Sequence, residues 1–240
     1  MRDLRRSDDI RHDHGIFGGG DDGFAQPNWR EHLICRTCGL RNRMRAALHL
    51  AIQDLGLNPA SDIYVTEQFG RAYRWLRGRF KSVVGSEYLS SRKPSGARVL
   101  GINHQDLQDL SFPAESFDFV LSFDVLEHVP DVTRAYRSIA KVLRPGGTLV
   151  LTIPFTQQKY ATTVRAVQHS DGQIEHLLPI EVHGNPTDPI NGALCFRHFG
   201  WDTLEQLQEA GFRNTRVHAY RNLDLGYLGG MQILVSAEKA

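Results

Sequence analysis

From Asp62 to the end of the chain, short β-rich runs alternate with amphipathic helical stretches, and the last two runs have no helix between them. Such alternation builds a mostly parallel sheet with helices on both faces. Two closing strands joined by a short turn pair antiparallel, as a hairpin. The strand candidates are "DIYVTE", "SVVGSEYL", "ARVLGI", "SFDFVLSFDVL", "GTLVLTIPF", "NTRVHAY" and "MQILVSAE". The expected architecture is therefore α/β, a doubly wound, mostly parallel, Rossmann-like sheet of seven strands ending in an antiparallel hairpin. Ligands of such sheets bind beyond the carboxyl ends of the strands.

The helices have readable limits. Phe69, Tyr73, Leu76 and Phe80 mark one face after the first strand, and Val132, Tyr136, Ile139 and Leu143 mark another, stopped by "RPGG". In "GWDTLEQLQEAGF", Asp202 with Glu205 predicts a capping box and Gly211 a helix end. Three segments follow. Residues 1–30 are too polar and glycine-rich to bury much apolar area and are read as a mobile arm. Residues 31–60 form a helical segment, with Met44, Leu48, Ile52 and Leu55 on one side. Residues 61–240 form the main domain, interrupted at 156–200 by an irregular insert with four histidines and three prolines. A long aperiodic insert in a compact domain reads as a lid or binding loop.

The charge and cysteine patterns narrow the function. A formal net charge of +1 argues against a nucleic-acid or anionic-membrane partner, and the arginines at 36, 41, 43, 45, 71, 74, 77 and 79 read as solvated helix faces. There is neither an apolar run of bilayer-spanning length nor an apolar segment near Met1 of signal-peptide type. Three cysteines make no disulfide framework, so a reducing cytoplasm is expected. Cys35-x-x-Cys38 lacks the second pair that a zinc ribbon needs. His32, His14 or His12 would complete it only at unfamiliar spacing, so no metal centre is expected.

The chemistry should lie at the strand ends. Glu87 closes the second strand, 20 residues after Glu67, where a carboxylate can accept ribose hydroxyls. Asp106 follows the third strand and suits either an adenine amino group or an Asx-type turn. Asp124, Glu127 and His128 close the fourth. The turn after the first strand, Thr66-Glu67-Gln68-Phe69-Gly70, has one glycine where nucleotide-binding folds usually carry several.

"HQDLQDLSFPAESFDFVLSFDVLEHVPD" followed by "VLRPGGTLVLTIPF" resembles the class I S-adenosylmethionine-dependent methyltransferases, in particular the type 11 small-molecule group. The resemblance runs from about Ile63 to Ala240 and implies S-adenosylmethionine as cofactor. It implies that Glu87, with Tyr88 beside it, meets the ribose and that Asp106 and Leu107 meet the adenine. Ser122 and Phe123 would contact the methionine part. The first motif departs from the family: Tyr64, Thr66, Gln68 and Gly70 stand on its acid and glycine positions, and Glu67 is the nearby acid. Thr66, Glu67, Gln68 and Gly70 are thus the implied cofactor loop. A hydroxyl or amine acceptor would need a general base, for which His128 and His183 are the candidates.

Methyl transfer to a small-molecule or glycan-type acceptor is the leading reading. A non-catalytic adaptor on the same fold, binding RNA or protein through the basic N-terminal segment, is the alternative. A nicotinamide dehydrogenase is disfavoured by the missing glycine fingerprint. Oligomeric state is not legible.

Overall fold

The computed structural model describes residues 28–240, with backbone segments at 10–12, 18–19 and 25–26. The expected arm over residues 1–30 otherwise lies outside the described residues. The chain divides into two compact units, Met1–Asn58 with Val217–Leu234 and Pro59–Arg216 with Val235–Ala240.

In the first unit, a short helix α1 (Trp29–His32) and strand Leu33–Cys35 precede helix α2 (Asn42–Gln53). Leu33–Cys35 pairs antiparallel with Ile10–His12. Arg36 is exposed as expected, but the arginines of α2 are not a solvated face. Arg43 and Arg45 are buried, Arg43 Nε donating to Glu31 Oε1 at 2.6 Å. Arg41 reaches the other oxygen of the same carboxylate at 3.2 Å. Arg45 donates to the Leu225 carbonyl and lies 4.8 Å over the Tyr227 ring. A buried cation needs such acceptors because losing water without compensation is costly. Cys35 is buried, and burial pushes the Cys38 thiol up to about 12, away from the thiolate that a nucleophile needs.

The strands of the central sheet come mainly from the second unit, with residues 217–234 of the last two counted in the first. They are β1 (Asp62–Val65), β2 (Ser82–Gly85), β3 (Phe117–Phe123), β4 (Leu143–Thr152), β5 (Phe212–Asn222) and β6 (Tyr227–Lys239). The order across the sheet is β5-β6-β4-β3-β1-β2. β1 pairs parallel with β2 and β3, β3 pairs parallel with β4, and β6 closes antiparallel on β4. The expected hairpin is the β5–β6 edge.

The sheet has six strands rather than seven. "ARVLGI" folds into its own hairpin, with Arg98–Val99 antiparallel to Ile102–Asn103. Leu100 (φ 50°) and Gly101 (φ 84°) make its turn. Two successive left-handed residues reverse the chain, so this run cannot continue as a parallel strand. What is left of the seventh strand is one parallel bridge, Glu87 to His104.

Packing follows the expected apolar face in one helix and not in the other. Helix α3 (Arg71–Arg77) buries Ala72, Trp75 and Leu76, of which only Leu76 lies on the expected face: Phe69 is 42% exposed, and Tyr73 and Phe80 are only partly covered. Helix α4 (Val132–Val142) buries Val132, Ala135, Tyr136, Ile139, Ala140 and Val142, as its spacing predicts. Asp131 caps α4 by accepting from the Arg134 amide at 2.9 Å. Arg144 ties the amino ends of β1 and β3, donating to Asp118 at 2.7 Å and Asp62 at 2.8 Å. Helix α5 (Thr203–Glu209) starts without the expected capping box. Asp202 instead accepts from the Thr162 amide and hydroxyl at 2.7 to 3.0 Å, and Glu205 takes the Tyr160 hydroxyl at 2.5 Å. A distant donor has displaced the local cap.

The insert is built rather than irregular. Three two-stranded antiparallel ribbons pair Thr163–Val164 with Arg197–His198, Ala166–Gln168 with Ile174–His176, and Val182–His183 with Ala193–Leu194. Ribbons of two or three residues are too short to show an alternating pattern in the sequence.

Arg45→Ala should destabilise the first unit by about 3 kcal/mol, combining a lost cation–π contact, a lost hydrogen bond and a cavity. Arg45→Met should recover the packing share only. Chemical denaturation of the three proteins checks this.

Candidate active site at the carboxyl ends of the strands

The turn after β1 is organised by one carboxylate. Glu87 Oε1 accepts from the Gln68 amide at 2.7 Å and the Phe69 amide at 2.8 Å. Burial raises the Glu87 carboxyl above its ordinary range, and the two amides work against that rise. The Gln68 side chain spans to the neighbouring hairpin, donating to the Gly101 carbonyl at 3.1 Å and accepting from the Asn103 amide at 3.0 Å. Thr66 is buried and donates to Ser122 Oγ at 3.1 Å. Thr66 and Gln68 thus brace the loop across to the other strand ends.

Gly70 has an ordinary φ of −65°, so it is not needed for a left-handed turn. It is needed for space, because a Cβ there would lie 2.1 Å from Glu67 Oε1. The Glu67 carboxylate folds over the start of α3, where the amino end of a helix favours negative charge. Gly85 is tighter: its Cβ would lie 2.6 Å from the Tyr73 ring and 2.9 Å from the Glu67 carbonyl.

Asp106 caps the short turn Leu107–Asp109, its Oδ1 accepting from the Gln108 amide at 2.9 Å. The Gln108 side chain also reaches both carboxylate oxygens, at 3.1 and 3.3 Å. Leu107 is buried, whereas Tyr88 is half-exposed with its ring 5.5 Å from that of His104. Ser122 and Phe123 are buried at the end of β3. Next to them Asp124, at φ 54°, accepts from Thr152 Oγ1 at 2.9 Å.

His128 and His183 are brought together, their rings 4.9 Å apart and perpendicular. The insert is stitched to the turn Leu126–His128: the Phe196 amide donates to the Glu127 carbonyl at 2.8 Å. His128 Nδ1 lies 2.8 Å from the Leu194 carbonyl, and His183 Nε2 lies 2.9 Å from Glu181 Oε1. Burial lowers the His128 pKa, which favours the neutral imidazole. Sequence reasoning missed Glu181 and His198, which meet at 2.8 Å. The spacing Glu181-x-His183, leading into the short strand Val182–His183, was the available signal.

Burial alone would push the Glu181 carboxyl up, but hydrogen bonds from His198 and His183 and the charge of Arg165 hold it at about 2. A depressed carboxyl stabilises the fold above its unfolded pKa, and that stability is lost as pH falls towards the folded value.

The sheet order, with parallel strands closed by an antiparallel strand, is that of a doubly wound α/β fold. Residues 69–151 match a family model described as a methyltransferase domain. The chain is 30% identical over 150 residues to a demethylmenaquinone methyltransferase of Staphylococcus aureus, covering 58% of this chain and 60% of that protein. It is 27% identical over 162 residues to Methyltransferase gedG of Aspergillus terreus, covering 65% of this chain and 50% of that protein. The chain therefore matches only a half to three-fifths of the length of these relatives. A crystal structure of an S-adenosylmethionine-dependent methyltransferase from Mesorhizobium loti superposes with a TM-score of 0.50 at 23% identity, covering 80% of this chain and 98% of that one. At that identity the likeness concerns the fold.

Glu181→Gln should lower stability by about 1 kcal/mol at pH 6 after allowing for solvent screening, and the difference should vanish between about pH 4.5 and pH 2. Thermal melts across that range check it. Gly85→Ala should cost about 2 kcal/mol, because it meets a ring and backbone. Gly70→Ala should cost under about 0.5 kcal/mol, because Glu67 can swing away.

Proposed function

We propose that this protein transfers a methyl group from S-adenosylmethionine to a small-molecule acceptor. The observation that carries the reading is Glu87: a half-buried carboxylate at the end of β2, with Oε1 held by the loop after β1 and Oε2 left to accept from a ligand. The fit to the cofactor is good at the ribose end. Glu87 would hold the ribose with Tyr88 alongside, and Asp106 and Leu107 would meet the adenine. Ser122, Phe123 and the loop Thr66, Glu67, Gln68 and Gly70 would surround the methionine end. There the ammonium has the Glu67 carboxylate as its partner, and the loop needs no bare amide cradle because the cofactor has no pyrophosphate.

S-adenosylmethionine supplies a methyl group on a sulfonium, which leaves as a neutral thioether. The residues of this chain supply alignment, exclusion of water and a place for the acceptor's proton. His128 suits that last role. Its Nδ1–H is fixed on the Leu194 carbonyl, so the neutral ring presents Nε2 as the acceptor. His183, fixed in turn by Glu181, presents Nδ1.

The acceptor side is formed by the insert, where Leu177, Leu178, Ile180 and Val182 are exposed one after another up to His183. Such a border suits an acceptor with an apolar body and an ionisable hydroxyl or amine. A glycan-type acceptor would want polar and aromatic side chains there instead. Among the described residues no helix is long and apolar enough to cross a membrane. The described cysteines are free thiols, in keeping with a reducing cytoplasm. The internal use of Arg43 and Arg45 weakens the adaptor alternative, which needed them for RNA.

Calorimetric titration with S-adenosylmethionine should show saturable binding, weakened at least ~10-fold, or about 1.4 kcal/mol, by Glu87→Ala. No heat at millimolar cofactor would reject the enzyme in favour of the adaptor. With an acceptor in hand, His128→Ala and His183→Ala should each lower turnover by about 100-fold. Unchanged turnover would remove both as proton acceptors.

A further inference from the structure

Two imidazole nitrogens converge on one buried carboxylate oxygen. Glu127 Oε1 lies 3.8 Å from His128 Nε2 and 3.8 Å from His183 Nδ1, and the Glu127 side chain is only 1% exposed. The tautomers follow from the other ring nitrogens. His128 Nδ1 faces a carbonyl and His183 Nε2 faces a carboxylate, both pure acceptors, so each of those nitrogens carries the hydrogen. In the neutral rings the nitrogens turned toward Glu127 are therefore lone pairs. Two lone-pair nitrogens and a carboxylate oxygen gathered in one place form a donor set that a cation can hold together.

We propose that Glu127, His128 and His183 bind a divalent transition-metal ion of the zinc class. One donor atom from each lies within 4.8 Å of the other two. Donors bound at about 2.1 Å with a tetrahedral angle between them stand about 3.4 Å apart, so the 3.8 Å separations need only a slight contraction. Two histidines and one carboxylate are a donor set of the zinc and non-haem iron type, with positions left open for a further ligand. Each imidazole is oriented as metal-bound histidines usually are, by a carbonyl or a carboxylate on its far nitrogen. His183 is one-third exposed, which leaves a path to solvent.

A second group, Glu181, Cys195 and His198, also gathers donors. Its Glu181 Oε1 is already hydrogen-bonded to His183 and His198, so it orients the first site rather than forming another. The ion and a proton compete for the same lone pairs. In the ion-bound form the imidazoles are ligands, and an acceptor oxygen at an open position would release its proton to solvent through the lowered pKa that a Lewis acid confers. That consequence rests on the methyl-transfer reading; the binding of the ion does not.

Cobalt(II) titrated into chelator-treated protein, without S-adenosylmethionine, tests the site by its visible absorption. About one equivalent should bind. His128→Ala and His183→Ala should each weaken binding at least ~100-fold, and Glu181→Gln about 10-fold. Glu127→Gln keeps the side-chain volume and should lose affinity while its circular dichroism melt stays cooperative. Cys35→Ser with Cys38→Ser should leave the spectrum unchanged. The proposal falls if no saturable spectrum develops at millimolar cobalt, leaving a proton as the occupant. It falls equally if the spectrum survives both histidine variants, or disappears with the two cysteines or with His198→Ala alone.

Discussion

A carboxylate drawn out of water must be satisfied by donors that the fold supplies, and Glu87 is satisfied by two consecutive amides of the turn after β1. This interaction sets the shape of the candidate site. It holds the end of β2 against the loop that opens α3, and the Gln68 side chain extends the same brace to the hairpin at Leu100–Gly101. The turn does not need a run of glycines because its backbone donors are already engaged. What it needs is room for Glu67 at Gly70 and room for Tyr73 and the Glu67 carbonyl at Gly85.

A second set of interactions joins the insert to the sheet. The Glu127 carbonyl takes the Phe196 amide, and the Leu194 carbonyl takes the His128 ring. These bonds deliver His183 to His128 and place Glu181 behind it. The outcome is a polar cluster whose members orient one another: Glu181 fixes the tautomer of His183, Leu194 fixes that of His128, and Glu127 is common to both rings. Placed at the carboxyl end of β3, the cluster lies where open α/β sheets position their chemistry.

Much of the fold was legible because it is local. The buried face of α4 follows from apolar spacing, and the parallel sheet with its closing hairpin follows from the alternation of strands and helices. The errors have local causes too. "ARVLGI" has strand composition, but Leu100 and Gly101 take left-handed conformations and turn it into a hairpin. Asp202 and Glu205 have capping-box spacing, but Thr162 and Tyr160 are better-placed donors. The arginines of α2 looked solvated because nothing near them in the chain foretells Glu31 or the Leu225 carbonyl as partners.

The amino-acid sequence by itself determined the α/β class, the terminal hairpin, and the acids Glu87 and Asp106 at the strand ends, because periodicity and turn chemistry act over a few residues. The tertiary structure decided what those residues touch. It turned Glu87 onto the loop amides, made Asp106 a cap, and brought Glu127, His128 and His183 to a common point. The bond between His128 and Leu194 spans 66 residues. No local pattern records a contact at that separation, since it exists only once the strands between have paired and the ribbons of the insert have closed.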